Sequence, residues 1–324
     1  MSGLFSRPLN GTLAGYSYLA SLITGRAVTY GLPPAIGIEL TNHCNLECPE
    51  CLTGSGRMTR SKGYMDVSLF DKIISELKDF LYYLTLSFQG ESMMHPRFFY
   101  FLARAHEIKT VLSTNGHFLS PENASKLVKS GLHKLIVSID GMDQDTYSCY
   151  RRGGALNSVL DGVKNVHDAN LRAGRPLKLE VQFLVSRKNE HQVDFVRHFA
   201  SEMKASFRLK SLQIINPDSY DTWLPSNPRY SRYKKKNDEY TIKSQLPDRC
   251  ARLWFNPVIT WNGKVVPCCF DKDADHILGD MNEDTFRDIW NGPKYRIFRK
   301  SVLAGRYMTE ICRNCTSGLR GVKY

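Results

Sequence analysis

Nine cysteines stand at positions 44, 48, 51, 149, 250, 268, 269, 312 and 315 of the 324-residue chain, and the chemistry concentrates where they cluster. Cys44-Asn-Leu-Glu-Cys48-Pro-Glu-Cys51 puts three thiols within eight residues. A structural zinc takes four ligands. His43, the nearby candidate for a fourth, adjoins Cys44 and is poorly placed to share a tetrahedron with it. Three thiolates suit a [4Fe–4S] cluster with one iron left open, because soft sulfur ligands select iron–sulfur sites and an open iron can take a further ligand. A second set lies downstream, with Cys250, the Cys268-Cys269 pair and Cys312-Arg-Asn-Cys315. Such C-x-x-C pairs serve zinc ribbons as well as iron–sulfur centres. Disulfides would call for a shorter, exported chain. Met1 to Tyr30 lacks a long apolar core before a small-residue cleavage site, so no signal peptide is read and a reducing cytoplasm is expected.

The elements that must position these thiols are legible as alternation. Apolar runs predict strands near Ile36–Leu40, Tyr82–Phe88, Lys109–Ser113, Lys134–Ser138, Lys178–Val185 and Ser211–Ile215. Between them the pattern turns helical. Phe70, Ile73, Ile74 and Leu77 share a face behind the cap candidate Asp66, and Ser120-Pro121 opens a helix that Gly131 closes. Val159, Val163 and Val166 stripe another helix, and Val193, Val196, Phe199 and Met203 one more. The expected fold is α/β, a partial (β/α)6 barrel of parallel strands, because six units fall short of the eight of a closed barrel. Ligands of such sheets sit at the C-terminal strand ends.

The remaining organisation is an N-terminal extension (1–35), the barrel (36–215), a Tyr-, Pro-, Ser- and Lys-rich linker or active-site cover (216–247) and a small cysteine-rich domain (248–324). That domain is expected to carry a β-hairpin of Trp254–Trp261 and Lys264–Pro267 turning at Asn262-Gly263, and short helices over Thr285–Ile289 and Tyr295–Val302. So few residues need a metal staple. The net charge is +12. Residues 1–215 carry 25 Lys+Arg against 19 Asp+Glu, and residues 216–324 carry 19 against 13, so the excess is denser in the shorter part. It peaks at Arg229-Tyr-Ser-Arg-Tyr-Lys-Lys-Lys236. This favours anionic partners, but no recognition fold accompanies it, so nucleic acid is not expected. No apolar run approaches the ~18 residues of a membrane span.

C-x-x-x-C-x-x-C directly after a first strand, in an α/β chain of this size, resembles the radical SAM superfamily. Other motifs match in order. Gln89-Gly90-Glu91 ends the second strand, where the family's GGE motif binds the methionine amino group. Ser113-Thr-Asn115-Gly116 ends the third strand, and Ser138-Ile-Asp140-Gly141 the fourth, where the family contacts the methionine and ribose parts of SAM. Tyr147-Ser-Cys-Tyr150-Arg151-Arg152-Gly153-Gly154 follows in the family style. The resemblance covers about residues 36–215. It implies that Cys44, Cys48 and Cys51 ligate a SAM-binding cluster, with SAM held by Gly90, Glu91, Ser113, Asn115, Ser138, Asp140 and Arg151. Glu91 would accept from the ammonium and Arg151 or Arg152 would clamp the carboxylate. The sequence departs from the pattern at Gln89, where the family has glycine, and at Glu50, where the family often has an aromatic residue and this chain puts a charge beside the cysteines.

The C-terminal set resembles the auxiliary-cluster extension called SPASM, in its shortened Twitch form, with Leu278-Gly-Asp280 and Asp288-Ile-Trp-Asn291 also fitting. The resemblance implies a second, fully ligated [4Fe–4S] cluster on Cys250, Cys268, Cys312 and Cys315. Cys269 is the rival of its neighbour Cys268, which the Gly263-x₄-Cys spacing favours. The implied activity is reductive cleavage of SAM to a 5′-deoxyadenosyl radical, with electrons from an external donor such as flavodoxin or ferredoxin. Hydrogen abstraction from a small polar, sugar-like substrate and transfer of its electron to the auxiliary cluster would complete an oxidation. Peptide modification, and epimerisation with Cys149 or Cys269 as hydrogen donor, are the alternatives. Arg152, Tyr150, Asp271 and the tyrosines of 220–240 are candidates for the deprotonating group.

Overall fold

The structure is a computed structural model, and it describes residues 3–320 and residue 322, with side chains from residue 6 onward. The strands among them are β1 (Ala35–Ile38), β2 (Tyr83–Thr85), β3 (Lys109–Thr114), β4 (Lys134–Ser138), β5 (Lys178–Val185), β6 (Ser206–Ser211), β7 (Tyr233–Lys236), β8 (Glu239–Ile242), β9 (Val258–Ile259), β10 (Lys264–Val266) and β11 (Gly279–Asp280). The fold is α/β with mostly parallel strands, as the alternation predicts. Packing gathers the chain into two compact units. One comprises Met1–Asn42, Thr59–Thr110 and Leu246–Gly318, and the other His43–Met58, Val111–Gln245 and Leu319–Tyr324.

In the first unit β1 pairs in parallel with β2 on one side and with β9 on the other, and β10 and β11 continue antiparallel beyond β9. The hairpin expected at Asn262-Gly263 is therefore β9–β10, and it extends the sheet of the first strand. The chain passes from the second unit to the first between Gln245 and Leu246, close to where the cysteine-rich stretch begins, and the residues from Leu246 onward pack with 1–42 and 59–110. Trp254 lies outside the hairpin, in the short helix Arg252–Phe255. Helix Val67–Leu77 buries Leu69, Phe70, Ile73, Ile74 and Leu77, each worth about 1.5–3 kcal/mol when fully covered, and Asp66 caps it by accepting from Ser68 N at 2.7 Å. Residues 286–291 and 293–305 are helical, close to where the sequence predicts them. Arg299 is buried there between the rings of Trp290 and Tyr295, 4.0 and 3.9 Å from their centroids. The N-terminal extension contains a 22-residue helix, Gly3–Thr24, pinned by reciprocal hydrogen bonds between the Asn10 amide and the backbone of Leu32. Its small residues and exposed Leu9, Tyr16, Leu19 and Ile23 hide its period from a sequence reading.

A buried ion pair organises the strand ends of this unit. Glu39, fully buried just past β1, holds Arg60 in a bidentate pair at 2.5 and 2.6 Å. The same carboxylate accepts from Gln89 N at 3.3 Å and from Trp261 N at 3.2 Å. Removing one partner of such a pair strands the other charge. Glu39→Gln is expected to cost about 3–5 kcal/mol of stability, read as a fall in the urea midpoint. A midpoint matching the parent protein would show the pair to be dispensable.

In the second unit β3 to β6 run in parallel and in sequence order. Helices Pro121–Lys129 and Leu156–Arg172 lie against each other, the first capped by Ser120 and the second burying Val159, Val163 and Val166. The sixth strand is a correction: it spans Ser206–Ser211, not Ser211–Ile215. Its exposed Arg208 and Lys210 flank buried Leu209, the one-sided pattern of an edge strand, whose hydrophobic signal is weaker than that of the more apolar run after it. Residues 216–247 are folded, with the antiparallel pair β7–β8 at their centre.

Candidate functional site

Within the second unit the three-cysteine loop runs beside the ends of β3 and β4. Cys48 is buried, and Cys44 and Cys51 are half-buried. Cys51 N donates to Cys48 O at 3.2 Å, closing the C-x-x-C turn, and Glu47 N donates to Arg152 O at 3.0 Å. Asn115, after β3, donates its amide to Asn45 Oδ1 at 2.7 Å and lies 3.9 Å from Cys44 Sγ. Asp140, after β4, is fully buried and pairs with Arg151 Nε at 2.5 Å, while Arg151 Nη1 lies 3.9 Å from Cys48 Sγ. Burial pushes the Cys48 thiol up to about 11, against the opposing pull of the Arg151 guanidinium. A thiol so placed ionises when a cationic centre takes its proton's place.

Two expected SAM contacts, Asp140 and Arg151, thus face each other. The other oxygen of Asp140 accepts from Leu184 N at 2.7 Å. Glu50 is turned away from solvent and bonds Ile215 N at 2.6 Å, Asn216 N at 3.1 Å and Ser219 Oγ at 2.6 Å. Its charge ties the cysteine loop to the segment after β6. The apolar side of that segment covers the loop, since Leu46, Cys48 and Tyr150 pack with Leu212, Ile214, Trp223, Leu224 and Tyr233. Lys234, Lys235 and Lys236 remain exposed.

Tyr147 lies outside the ligand set expected from the sequence. It is fully buried, and its hydroxyl has no hydrogen-bond partner. Its pKa is raised by burial, with Arg151, Asp140 and Cys48 the charges it feels. Gly141 permits its approach: a Cβ there would stand 2.7 Å from Tyr147 N. An orphaned hydroxyl beside a carboxylate, a guanidinium and soft thiols fits a polar, charged ligand held on a sulfur-ligated metal. Ser138 is buried at the end of β4, and Ser113 is half-buried on β3.

The Gln89-Gly90-Glu91 turn belongs to the first unit. Gly90 has φ +74°, a left-handed conformation that favours glycine. Glu91 is buried and accepts from Met93 N at 3.2 Å, so it caps the turn Ser92–Met94.

The same unit holds the second cysteine set. Cys250, Cys268, Cys312 and Cys315 are all buried, and Cys269 is half-buried. Cys315 N donates to Cys312 O at 3.1 Å, repeating the turn of the first set. Arg306, buried, donates from Nη2 to Cys315 Sγ at 3.2 Å, and Arg252 Nη1 lies 3.6 Å from Cys269 Sγ. Burial raises Cys268 well above its ordinary value and Cys312 to about 11, and in each the neighbouring thiols add to the rise. Asp271, fully buried, accepts from Asp275 N and His276 N at 2.9 and 3.0 Å and so folds the loop after Cys269. Among the described residues no three His, Cys, Asp or Glu side chains are drawn closely enough to hold a single metal ion. The donor chemistry is sulfur in both sets, with cations beside it, and it fits iron–sulfur clusters. No described helix is long and apolar enough to cross a membrane.

Comparison with known proteins agrees with this chemistry. The radical SAM superfamily model matches residues 38–182, and the model of the iron–sulfur cluster-binding domain SPASM matches residues 250–316. The chain thus carries a radical SAM domain followed by a SPASM domain. Its cofactors are accordingly a SAM-binding [4Fe–4S] cluster, an auxiliary cluster and SAM. It is 28% identical over 199 residues to the mycofactocin maturase MftC of Mycobacterium tuberculosis, a match covering 60% of this chain and 49% of that protein, so the chain spans about half the length of this relative. It is 23% identical over 289 residues to the S-adenosyl-L-methionine-dependent 2-deoxy-scyllo-inosamine dehydrogenase of Niallia circulans, covering 87% of this chain and 92% of that one. The structure of Streptococcus suis SuiB bound to S-adenosylmethionine shares the fold, with TM-score 0.66 and 15% identity over 97% of this chain and 79% of that one.

Proposed function

We propose that the chain is a radical SAM oxidoreductase of the dehydrogenase type, acting on an alcohol carbon of a small, polar, anionic substrate. The observation that carries this reading is the set of four buried thiols in 246–318, flanked by Arg252 and Arg306. A cluster fully ligated by protein has no open iron for a substrate and is suited to taking an electron. The similarity to the inosamine dehydrogenase along nearly its whole length supports the same reading.

The bound groups supply reductive cleavage of SAM, with an electron from a flavodoxin or ferredoxin, and an acceptor for the electron that leaves the substrate. The chain's residues do the rest. Cys44, Cys48 and Cys51 would hold the first cluster and Cys250, Cys268, Cys312 and Cys315 the second. Glu91, on the turn that Gly90 permits, would accept from the SAM ammonium. Asn115, Ser113, Ser138 and Asp140 would line the ligand from successive strand ends. Arg151, paired with Asp140 and near Cys48, would serve the SAM carboxylate. The apolar cover formed by Trp223, Leu224 and Tyr233 excludes water from the cysteine loop. The exposed Lys234–Lys236 run supplies positive charge for an anionic handle.

A peptide-modifying activity is the second reading, favoured by the similarity to the maturase. Isotope and mass distinguish the two. With a deuterated substrate pool, the oxidoreductase moves deuterium into 5′-deoxyadenosine and yields a small product lighter by two hydrogens. Product recovered only on a peptide, or a small product that has exchanged one deuterium for hydrogen with no net loss of hydrogen atoms, overturns the oxidoreductase reading. The second outcome would point to epimerisation through the exposed Cys149 or the half-buried Cys269.

A further inference from the structure

Arg306 and Arg252 stand on the auxiliary cysteines from two directions. Arg306 is the more deeply placed, buried on the helical turn Arg306–Met308. Its backbone N–H donates to Asp248 Oδ1 at 2.7 Å and its Nη1 to Arg249 O at 3.1 Å, which fixes the guanidinium over Cys315. Its Nε is buried with no hydrogen-bond partner. Arg252 opens the short helix two residues after Cys250 and reaches Cys269 Sγ at 3.6 Å. Structural stapling accounts for the backbone contacts of Arg306. It does not account for two guanidiniums directed at sulfur.

We propose that Arg306 and Arg252 set the reduction potential of the auxiliary cluster, raising it so that the cluster accepts an electron. This deepens the proposed oxidoreductase activity and rests on that reading. A cluster held by four thiolates is anionic, and becomes more so by one charge when it takes an electron. A fixed cation and an N–H donor at the ligand sulfurs stabilise the more negative state more strongly, and burial removes the water that would screen them. Both arginines therefore bias the cluster toward its reduced form. They are positioning residues, since neither is required to touch substrate.

The test reads the auxiliary cluster alone, in protein carrying C44A, C48A and C51A, by potentiometric titration followed by electron paramagnetic resonance. Arg306→Gln and Arg252→Gln are each expected to lower the reduced-to-oxidised ratio at fixed potential about tenfold, which is about 59 mV for a one-electron couple. Arg306→Lys, which keeps the charge, should recover most of the loss. Unchanged midpoints in both Gln variants, at unchanged iron content, overturn the proposal. Should Arg306→Gln lose its iron, Arg252→Gln decides alone: a lowered midpoint sustains the inference and an unchanged one overturns it. Zinc in place of iron in the parent protein overturns both this inference and the oxidoreductase reading, before any arginine is changed. A lowered midpoint in the Gln variants beside a product with no net loss of hydrogen atoms leaves the arginine inference standing and removes the oxidoreductase alone.

Discussion

Changing Cys44, Cys48 and Cys51 together to Ala is expected to abolish SAM cleavage and to remove about half of the roughly eight iron and eight sulfide that two four-iron clusters bring. The loss should be complete rather than graded. Asn115, Asp140 and Arg151 surround the loop, but none of them supplies a soft ligand for iron. The variant is expected to fold, because the Glu50 side chain still anchors the loop to Ile215, Asn216 and Ser219. Retained iron near four per chain, with circular dichroism like that of the parent, is the signature that the remaining structure is intact. SAM cleavage above background in that protein would remove these three cysteines from the centre of the chemistry.

Cys312→Ala with Cys315→Ala is expected to leave the first cluster and SAM cleavage in place while formation of oxidised product collapses. The two thiols are buried and share one turn, and Cys315 is the sulfur that Arg306 contacts. Their loss takes away half of the auxiliary ligand set, and with it the acceptor for the substrate's electron. A metal site can be a main source of stability in a small unit. Monomer yield and circular dichroism therefore accompany the assay. Oxidised product at the parent rate from a folded double variant would show that the electron leaves by another route.

Much of this molecule is legible in its residues, and what is missed has a common cause. The strands Lys134–Ser138 and Lys178–Val185 and the caps Asp66 and Ser120 are local features, written in a handful of adjacent positions. The cysteine spacings are local too. Glu39 with Arg60, Glu50 with Ile215, and Arg306 with Cys315 are not, because each partner is chosen by the fold and carries no periodic mark. Glu50 could be singled out as a departure from the family's usual residue, yet its distant backbone partners could not be foreseen. The place of Tyr147 depends on Gly141, which lets the chain close on it, and no sequence pattern marks that contact. The edge strand Ser206–Ser211 lost to its more apolar neighbour because one exposed side dilutes the hydrophobic signal.

The parallel pairing of β1 with β9 has a consequence for how the chain is made. Gly37 registers with Val258, so the two strands are separated by about 220 residues, or some ten to forty seconds of synthesis at about 5–20 residues per second. Throughout that interval the β9-facing edge of β1 offers unpaired backbone groups to any other strand, the hazard that invites wrong pairing. The first unit cannot close until its third segment leaves the ribosome. Trimming the protein after residue 245 would thus not yield a smaller enzyme lacking an accessory domain. It would yield a nascent-chain intermediate, arrested with its earliest strand still waiting for a neighbour.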